Sequence, residues 1–600
     1  MREEKDQTEE TEIDKNSALF SLAQSLLKKR EESIAFRAAS GIERIWRESE
    51  ALYDGLDSIN DRQDVVDYAT GEAQIRTREQ RRSRVIVNII RPKCEVAEGR
   101  MSDILFPTDS RNWGLKLTPA PEMSKALKDV RQASVQGQPV AKDDGSPVTI
   151  SEIAKSDKQA LTEKMEAMET VIDDQLTECD YNAMSRKVIR SAIKLGTGIQ
   201  KGPNVVKEVK KKWVEEDGIY QMVVVEEKKP ASKWCDPWNV YPAPNTEEDI
   251  KQAAYIWERS TAQPKDLVKL IGIDGYFSDQ IIKILKEKPV KTASKLDTER
   301  DKTTYETVDT LERWDYHGTL NREDLESLDV NVSHDSVSTV FSACAVFVND
   351  RLIKVDINPL DSGDLPYDFY QWTQRTGSPW GIGIPQIGKW SQRIITAALR
   401  AMMDNAGDSS GANIVISRSL EPADGTYEIT GKKLWTLDES ELDDVRKAFA
   451  QFQITNNQAD LQAIIDLGFK FIDMETALPM LFQGEKAEAP ETLGATNIMV
   501  DANNVALRSR VKLFDDAITR PHITRYYDWN MQYNERMDIK GEFNVDVRGT
   551  SVLFERDRQS QAIMQLFASK QDPDVAMLID WEKATRRMLA GMGLGDVMKT

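Results

Sequence analysis

Between Gly377 and Ser417 the chain reads GSPWGIGIPQIGKWSQRIITAALRAMMDNAGDSSGANIVIS. Apolar residues at Ile387, Trp390, Ile394, Ala398 and Met402 are spaced by threes and fours, which lays one stripe along a helix. The pattern predicts a helix from Gly383 to Asp408, roughly 39 Å long at 1.5 Å per residue. Ala397, Ala398, Ala401 and Ala406 leave room for a second helix, and Gly407, Gly411 and the β-rich Asn413 to Ser417 end the first. This helix reads as a strut between β-rich segments.

Upstream, Asn16 to Leu56 and Arg81 to Pro107 have helical patterns, with Pro92 marking a boundary or a kink. Trp113 to Leu117 alternates like a strand. Residues 121–157 are polar, carry Gly137, Pro139, Gly145 and Pro147, and read as an insertion or flexible loop. Ser151 to Leu195 is a strong helical block that closes on Gly196-Thr197-Gly198, a helix C-terminal turn. Residues 203–227 then predict a hairpin about Asp217-Gly218. In WCDPWNVYPAP, 234–244, prolines and aromatic residues imply turns packed on a domain, with an aromatic ligand box as the sharper alternative.

Thr261 to Lys288 reads as a second helical strut with Pro264 early in it, and residues 291–304 as a polar, mobile link. From Val308 to Trp372 the period changes to strands, with Asn349-Asp350 as a turn, and this module protrudes if the struts are antiparallel. Beyond the central helix come short strands over 413–435, a helix over 439–467 and an apolar loop over 471–482. A long helix follows over 491–533, bent near Thr519 by Pro521, and then a strand from Phe543 to Val547. Two helical segments, one over 553–569 and one after Asp572-Pro573, complete an α+β, mainly helical chain.

Composition narrows the function classes. The 600 residues are 40% hydrophobic and 30% charged, and 80 basic residues against 100 acidic ones leave a net charge of −20. Bulk charge therefore gives no route to condensation on nucleic acid, although such a surface can border DNA that must slide past. No apolar run approaches a membrane span, and MREEKDQTEETEIDK, residues 1–15, reads as a disordered acidic arm. Cys94, Cys179, Cys235 and Cys344 are scattered, and His317, His334 and His522 form no metal-binding spacing. Arg508, Arg510, Lys512, Arg520 and Arg525 alternate with Asp501, Asp515, Asp516 and Asp528, a solvated or intersubunit face more than a nucleic-acid stripe.

One motif tempts an enzymatic reading. Gly383, Gly388 and Lys389 match the start of a phosphate-binding loop. The next residue must be Ser or Thr to hold magnesium, and here it is Trp390. Pro385 also removes a backbone donor from the cradle. The stretch is better read as the turn that opens a helix.

Several segments in series carry a family resemblance: GRMSDILFPTDSRNWGLKL at 99–117, LGTGIQK at 195–201, WCDPWNVYP at 234–242, AAYIWERS at 253–260, LPYDFYQW at 365–372, GSPWGIGIPQIGKW at 377–390 and LPMLFQGEKAEAPETLGAT at 478–496. In that order they resemble the portal, or head–tail connector, proteins of tailed double-stranded DNA phages, above all those of short-tailed phages. The resemblance implies a portal fold with wing, stem, clip and crown regions, assembled as a ring, typically of twelve subunits. Residues 1–15 would be the arm, 16–262 the first part of the wing, 263–308 the first stem helix and linker, and 309–376 the clip. Residues 377–410 would be the second stem helix, 411–475 the second part of the wing, 476–491 the tunnel loop, 492–535 the long kinked helix and 536–600 the crown. No long heptad-rich extension is seen after it, so a helical barrel is expected to be absent or short.

The same resemblance implies a channel at one capsid vertex of the virion through which genomic DNA is packaged and ejected, built in the host cytoplasm. Implied partners are the terminase large subunit, adaptor or tail proteins, major capsid and scaffolding proteins, and duplex DNA bound without sequence preference; no membrane, cofactor, metal or catalytic residue is implied. Gln483, Glu485, Lys486 and Glu488 would line the bore, anchored by Leu481 and Phe482. Lys389, Arg393 and Arg400 would face the bore or a neighbouring subunit. Gly381, Gly383 and Gly388 would shape the opening of the stem helix, and Pro521 the kink. The alternatives are another virion structural protein such as a head–tail adaptor, or a P-loop nucleotidase or nuclease.

Overall fold

The computed structural model describes residues 2–56, 83–106, 111–118, 134–135, 138–139, 149–216, 219–244, 246–273, 275–287, 311–330, 339–360, 362–409, 413–416, 420–423, 425, 435–437, 449–452, 455, 457–478 and 507–547. Helix α1 spans Arg2–Ala39, and Gly41, at φ 69°, separates it from α2, Ile42–Tyr53. The segment expected to be a disordered arm is therefore the start of α1. Its Glu, Lys, Gln and Arg are good helix formers, and polarity alone does not separate a solvated helix from disorder. Helix α3, Ile90–Leu105, holds Pro92 in its first turn, where no intrahelical bond is lost. Strand β1 is Trp113–Leu117, as predicted.

Helix α4, Ile150–Glu178, opens on a capping box in which Glu152 N–H donates to Thr149 Oγ1 and Thr149 N–H donates to Glu152 Oε2. Helix α5, Tyr181–Leu195, stops at Gly196 with φ 94°. Strands β2, Thr197–Glu216, and β3, Ile219–Cys235, form the predicted hairpin, longer at its base than expected, and pair from Glu216 with Ile219 back to Ile199 with Cys235. The expected turn pair, Asp217-Gly218, lies outside the described residues. Strands β4, Val240–Pro242, and β5, Tyr255–Ala262, follow.

The second strut is not one helix. Residues 263–287 form α6, Pro264–Val268, and α7, Ser278–Lys286. Between them Gly272 and Gly275 adopt φ 82° and 83°, and Gly272 N–H donates to Ser278 Oγ at 3.1 Å. Two left-handed glycines break a pattern that counts apolar residues alone. The link expected over 291–304 lies outside the described residues.

Strand β6, Leu311–Asn321, leads through α8, Arg322–Glu326, to β7, Val340–Val348, and β8, Arg351–Ile357. Asn349 and Asp350 turn between them with φ 46° and 63°, both positive as a two-residue hairpin requires. Strand β9 is Tyr367–Gln371. The central helix begins at Ile384 and is divided at Gly388 into α9, Ile384–Ile387, and α10, Lys389–Ser409.

Strands β10, Asn413–Ile416, β11, Leu420–Pro422, and β12, Trp435–Leu437, follow. Where the sequence pattern predicts a helix over 439–467, β13, Phe449–Phe452, pairs with β10. Helix α11, Gln458–Thr476, runs through the start of the predicted apolar loop and ends at Ala477, φ 54°. Residues 507–514 are helical, Asp515–Thr519 make a π-helical turn, and α12, Arg520–Tyr533, continues the helix to β14, Phe543–Val547.

Among the described residues these strands pair antiparallel and fall into separate sheets, so the architecture is mixed α and β. One sheet has the order β8-β7-β6-β5-β4 and another β9-β2-β3, while β1 pairs with β14. The strands assigned to a clip thus continue a sheet that begins in the region assigned to the wing. Trp257, Trp314, Tyr316 and Phe347 on that sheet share a core with Leu22 and Leu26 of α1.

The chain forms two compact units. The first gathers Met1–Glu50, Cys94–Ile384 and Glu488–Thr600; the second gathers Ala51–Lys93 and Pro385–Ala487.

Candidate functional sites

In the second unit α10 and α11 run antiparallel. Ser391 Oγ donates to Glu475 Oε2 at 2.8 Å, Gly468 faces Ile395, and at the other end Asn457 N–H donates to Asn405 Oδ1 at 3.1 Å. Residues 83–89 lie along α10 as well. Gln392 accepts from Ile89 N–H and donates to Val87 O, Arg400 Nε donates to Val85 O at 3.2 Å, and Ser83 N–H donates to Asp404.

The buried face of α10 is accordingly Ser391, Gln392, Ile395, Thr396 and Ala398. Of the predicted apolar stripe only Ala398 is buried, and Trp390 is 64% exposed. Periodicity misplaces this face because Ser, Gln and Thr hold the neighbouring segment by hydrogen bonds, which an apolar count does not score. Helix α11 likewise buries Ile465, Gly468 and Ile472 while Ile464, Leu467, Phe471 and Met474 are exposed.

Lys389 and Arg393 come together at Trp390, each cation 5.2 Å from the ring centre. Arg400 lies two turns on, with its Nε turned to Val85. Gly381 and Gly383 belong to the first unit, where they pack on the end of α5. A Cβ on Gly383 would lie 2.8 Å from Gly196 N and Ile193 O, and Gly381 N–H donates to Thr197 Oγ1 at 2.8 Å. Their glycine character serves this backbone crossing, and the Gly381 donor is already engaged. Gln483, Glu485, Lys486 and Glu488, with Leu481 and Phe482, lie outside the described residues, as do Asp501, His334 and the segments after Val547.

Pro521 comes one residue after the π-helical turn, and Arg520 N–H reaches back to Asp515 O. The wider turn is one way a helix accommodates a residue with no N–H to offer. Asp515 is buried in this turn and accepts from Thr519 Oγ1 at 3.1 Å. Burial pushes its carboxyl up to about 7, and Asp516 adds to the rise against the Thr519 hydroxyl and Arg520. A carboxyl raised above its unfolded value of ~3.9 contributes stability below that pH and loses it as the pH climbs through 7. Asp515→Asn is therefore expected to stabilise the chain by ~1–3 kcal/mol at pH 8, with the gain vanishing toward pH 4. Urea melts at both pH values check this; an equal gain at both would contradict it.

Helix α12 also supplies a buried polar cluster. Arg525 forms a bidentate pair with Asp368 of β9 and donates through Nε to Gly202 O at 2.8 Å. His522 Nδ1 lies 3.1 Å from the same carboxylate, and its Nε2 lies 2.7 Å from Ser232 Oγ, which in turn lies 2.8 Å from Tyr526 Oη. With Nδ1 donating to Asp368, Nε2 accepts from Ser232, and Ser232 accepts from Tyr526. Burial holds His522 below the usual imidazole range despite the Asp368 hydrogen bond. For Asp368, burial raises the carboxyl, but Arg525 and the hydrogen bond from His522 outweigh it and hold it low.

Ser232, His522 and Asp368 have the connectivity of a nucleophile relay. All three are buried, however, and Arg525 neutralises the carboxylate that would stabilise an imidazolium. The cluster locks α12 to the β9-β2-β3 sheet. These partners come from three distant stretches, so no local motif announces them.

A second network joins the sheets. Glu258 of β5 accepts from Lys201 and Lys233, both at 2.7 Å, and from Tyr367 Oη at 2.9 Å. Burial would raise the Glu258 carboxyl, but the two lysines hold it well below its usual range. His317 is driven well below its usual range by burial, with Lys201 adding to the effect. Burial pushes the thiols of Cys94, Cys235 and Cys344 up, which keeps them protonated and weak as nucleophiles.

Trp238 and Tyr241 of the proline-rich stretch are core residues, as the packing alternative expects. Arg37, itself buried, stacks 3.6 Å from the Tyr241 ring centre and donates to Trp238 O and Val240 O. Among the described residues no group of three or more His, Cys, Asp or Glu is arranged to hold a metal ion, and no helix is long and apolar enough to cross a membrane. No protein-family model and no curated protein matches the chain.

Proposed function

We propose that this chain is a portal protein, a subunit of a ring-shaped channel at one capsid vertex through which genomic DNA is packaged and ejected. The observation that carries the reading is the serial order of its parts. A β-rich block closing on LPYDFYQW precedes a Gly/Pro turn and the long α10. The antiparallel α11 then leads directly toward the 479–491 stretch, and a long helix with a π-turn ahead of Pro521 comes after it.

In this reading α10 carries the stem, because α6 and α7, at five and nine residues, are too short to act as its second strut. Gln483, Glu485, Lys486 and Glu488 line the narrowest part of the bore. The terminase large subunit docks during packaging and adaptor or tail proteins afterwards, with capsid and scaffolding proteins around the ring. The chain itself needs no cofactor and carries out no catalysis. The net charge of −20 suits a passage that duplex DNA must traverse without being held, since each neutralised phosphate adds to retention.

Negative-stain images of the purified chain are expected to contain rings of about twelve copies around a central opening. Particles without an opening, at all concentrations and with scaffold added, would overturn the reading.

A further inference from the structure

The second unit exposes more apolar surface than its own fold uses. On α10, Trp390, Ile394, Ala397 and Ala401 are exposed at steps of four, three and four; on α11, Ile464, Leu467, Phe471 and Met474 are exposed at steps of three, four and three. Both follow the 3.5-residue repeat by which helices pack on further helices. At about 100° per residue, each exposed stripe stands roughly 105° from the face its helix turns to the other, in the same rotational sense. On an antiparallel pair, stripes offset alike fall on the same side. The two stripes therefore make one face.

The face is large for a lone chain. Its six large side chains are on average about half exposed, and at about 200 Å² each they leave on the order of 600 Å² of apolar surface. That is the upper end of what a monomer exposes and close to the ~800 Å² one partner gives to a standard interface. A second apolar patch lies elsewhere around α10, on the side that residues 83–89 cover. There Val85, Val87 and Met403 are 44%, 45% and 45% exposed.

We propose that these two surfaces are the halves of one head-to-tail contact, in which the α10–α11 face of one copy packs on the 83–89 side of the next. Unlike faces on one subunit make a heterologous contact, which closes as a ring or runs on as a filament, whereas a face that pairs with itself stops at a dimer. This contact is where copies of the chain meet, and the choice of a head-to-tail contact over a face paired with itself rests on the portal reading.

Light scattering and cross-linking of the full chain test it. Ile394→Asp and Leu467→Asp, at exposed positions the fold tolerates, are each expected to reduce the assembled mass to that of one chain. Circular dichroism should be unchanged, and Ile394→Leu should keep the assembly. Chains carrying Ile394→Cys mixed with chains carrying Val85→Cys are expected to form mixed disulfide dimers under mild oxidation, well above the level given by Ile394→Cys alone or by the wild-type chain. A monomeric wild-type chain, an assembly indifferent to both aspartates, or self-linking of Ile394→Cys as strong as the mixed product would each overturn the contact. Rings that persist with both aspartates in place would remove this contact and leave the portal reading intact. Filaments cross-linked through these two positions would do the reverse.

Discussion

Gly196→Ala is expected to destabilise the first unit by about 2–6 kcal/mol. Gly196 has φ 94°, where a side chain is strained by about 1–3 kcal/mol. The greater cost is steric. A Cβ there would drive into the Gly381 carbonyl oxygen and lie 2.9 Å from Gly383 N, and both obstacles are backbone. Neither can swing aside. Trp372 N–H donates to Gly196 O and Ile382 N–H to Thr373 O, both at 2.9 Å, so the two strands of chain are tied at the crossing. Overpacking of a held site adds another ~1–3 kcal/mol. Denaturant titration followed by tryptophan fluorescence measures the change, and a loss under ~1 kcal/mol would mean that the crossing is slack.

Arg525→Ala is expected to cost about 3–5 kcal/mol, because it leaves the Asp368 carboxylate buried without its counter-charge. Arg525→Lys should recover little, since one ammonium cannot reproduce the bidentate fork and also reach Gly202 O. Removing both charges, as Asp368→Asn with Arg525→Met, should cost less than the single change, which separates an orphaned charge from lost packing. The Asp368 carboxyl is depressed in the folded chain, so its contribution is present above about pH 4 and is lost as acid carries the solution through the lower folded value. His522 and His317 have the opposite chemistry but the same trend. Both are held neutral, so stability drops as pH falls below ~6.5, where the unfolded imidazoles take up protons first. A single alanine that left the melting curve unmoved would contradict the account of Arg525.

Local signals are legible in the sequence where local chemistry decides the structure. The pairing of β2 with β3, the Asn349-Asp350 turn, the strands Trp113–Leu117 and Phe543–Val547 and the glycine stop after Leu195 all stand where turn residues and alternation put them. Inferences about partners fare worse. The stripe on α10 reads as core because Trp390 and Ile394 are apolar, yet the helix is held by Gln392 and Ser391. The strut over 261–288 counts apolar periods and passes over two glycines. No spacing rule could assemble Asp368, Ser232 and His522, which lie 290 residues apart at the widest. The residues proposed to line a bore rest on resemblance to a family, and the portal proposal stands or falls with the ring, not with the fold.

The two units are interleaved along the chain, and that has a consequence for synthesis. Residues 83–89 meet α10 only when it has been made, roughly 300 residues later, and β1 waits for β14 across more than 400. At ~5–20 residues per second, the first of these intervals is about 15–60 seconds on the ribosome. For that time Ile89, buried in the folded chain with its N–H on Gln392, waits without α10. Nascent chains of this protein should therefore be held by chaperones until release, and truncation before α11 should leave α10 without the helix it packs on.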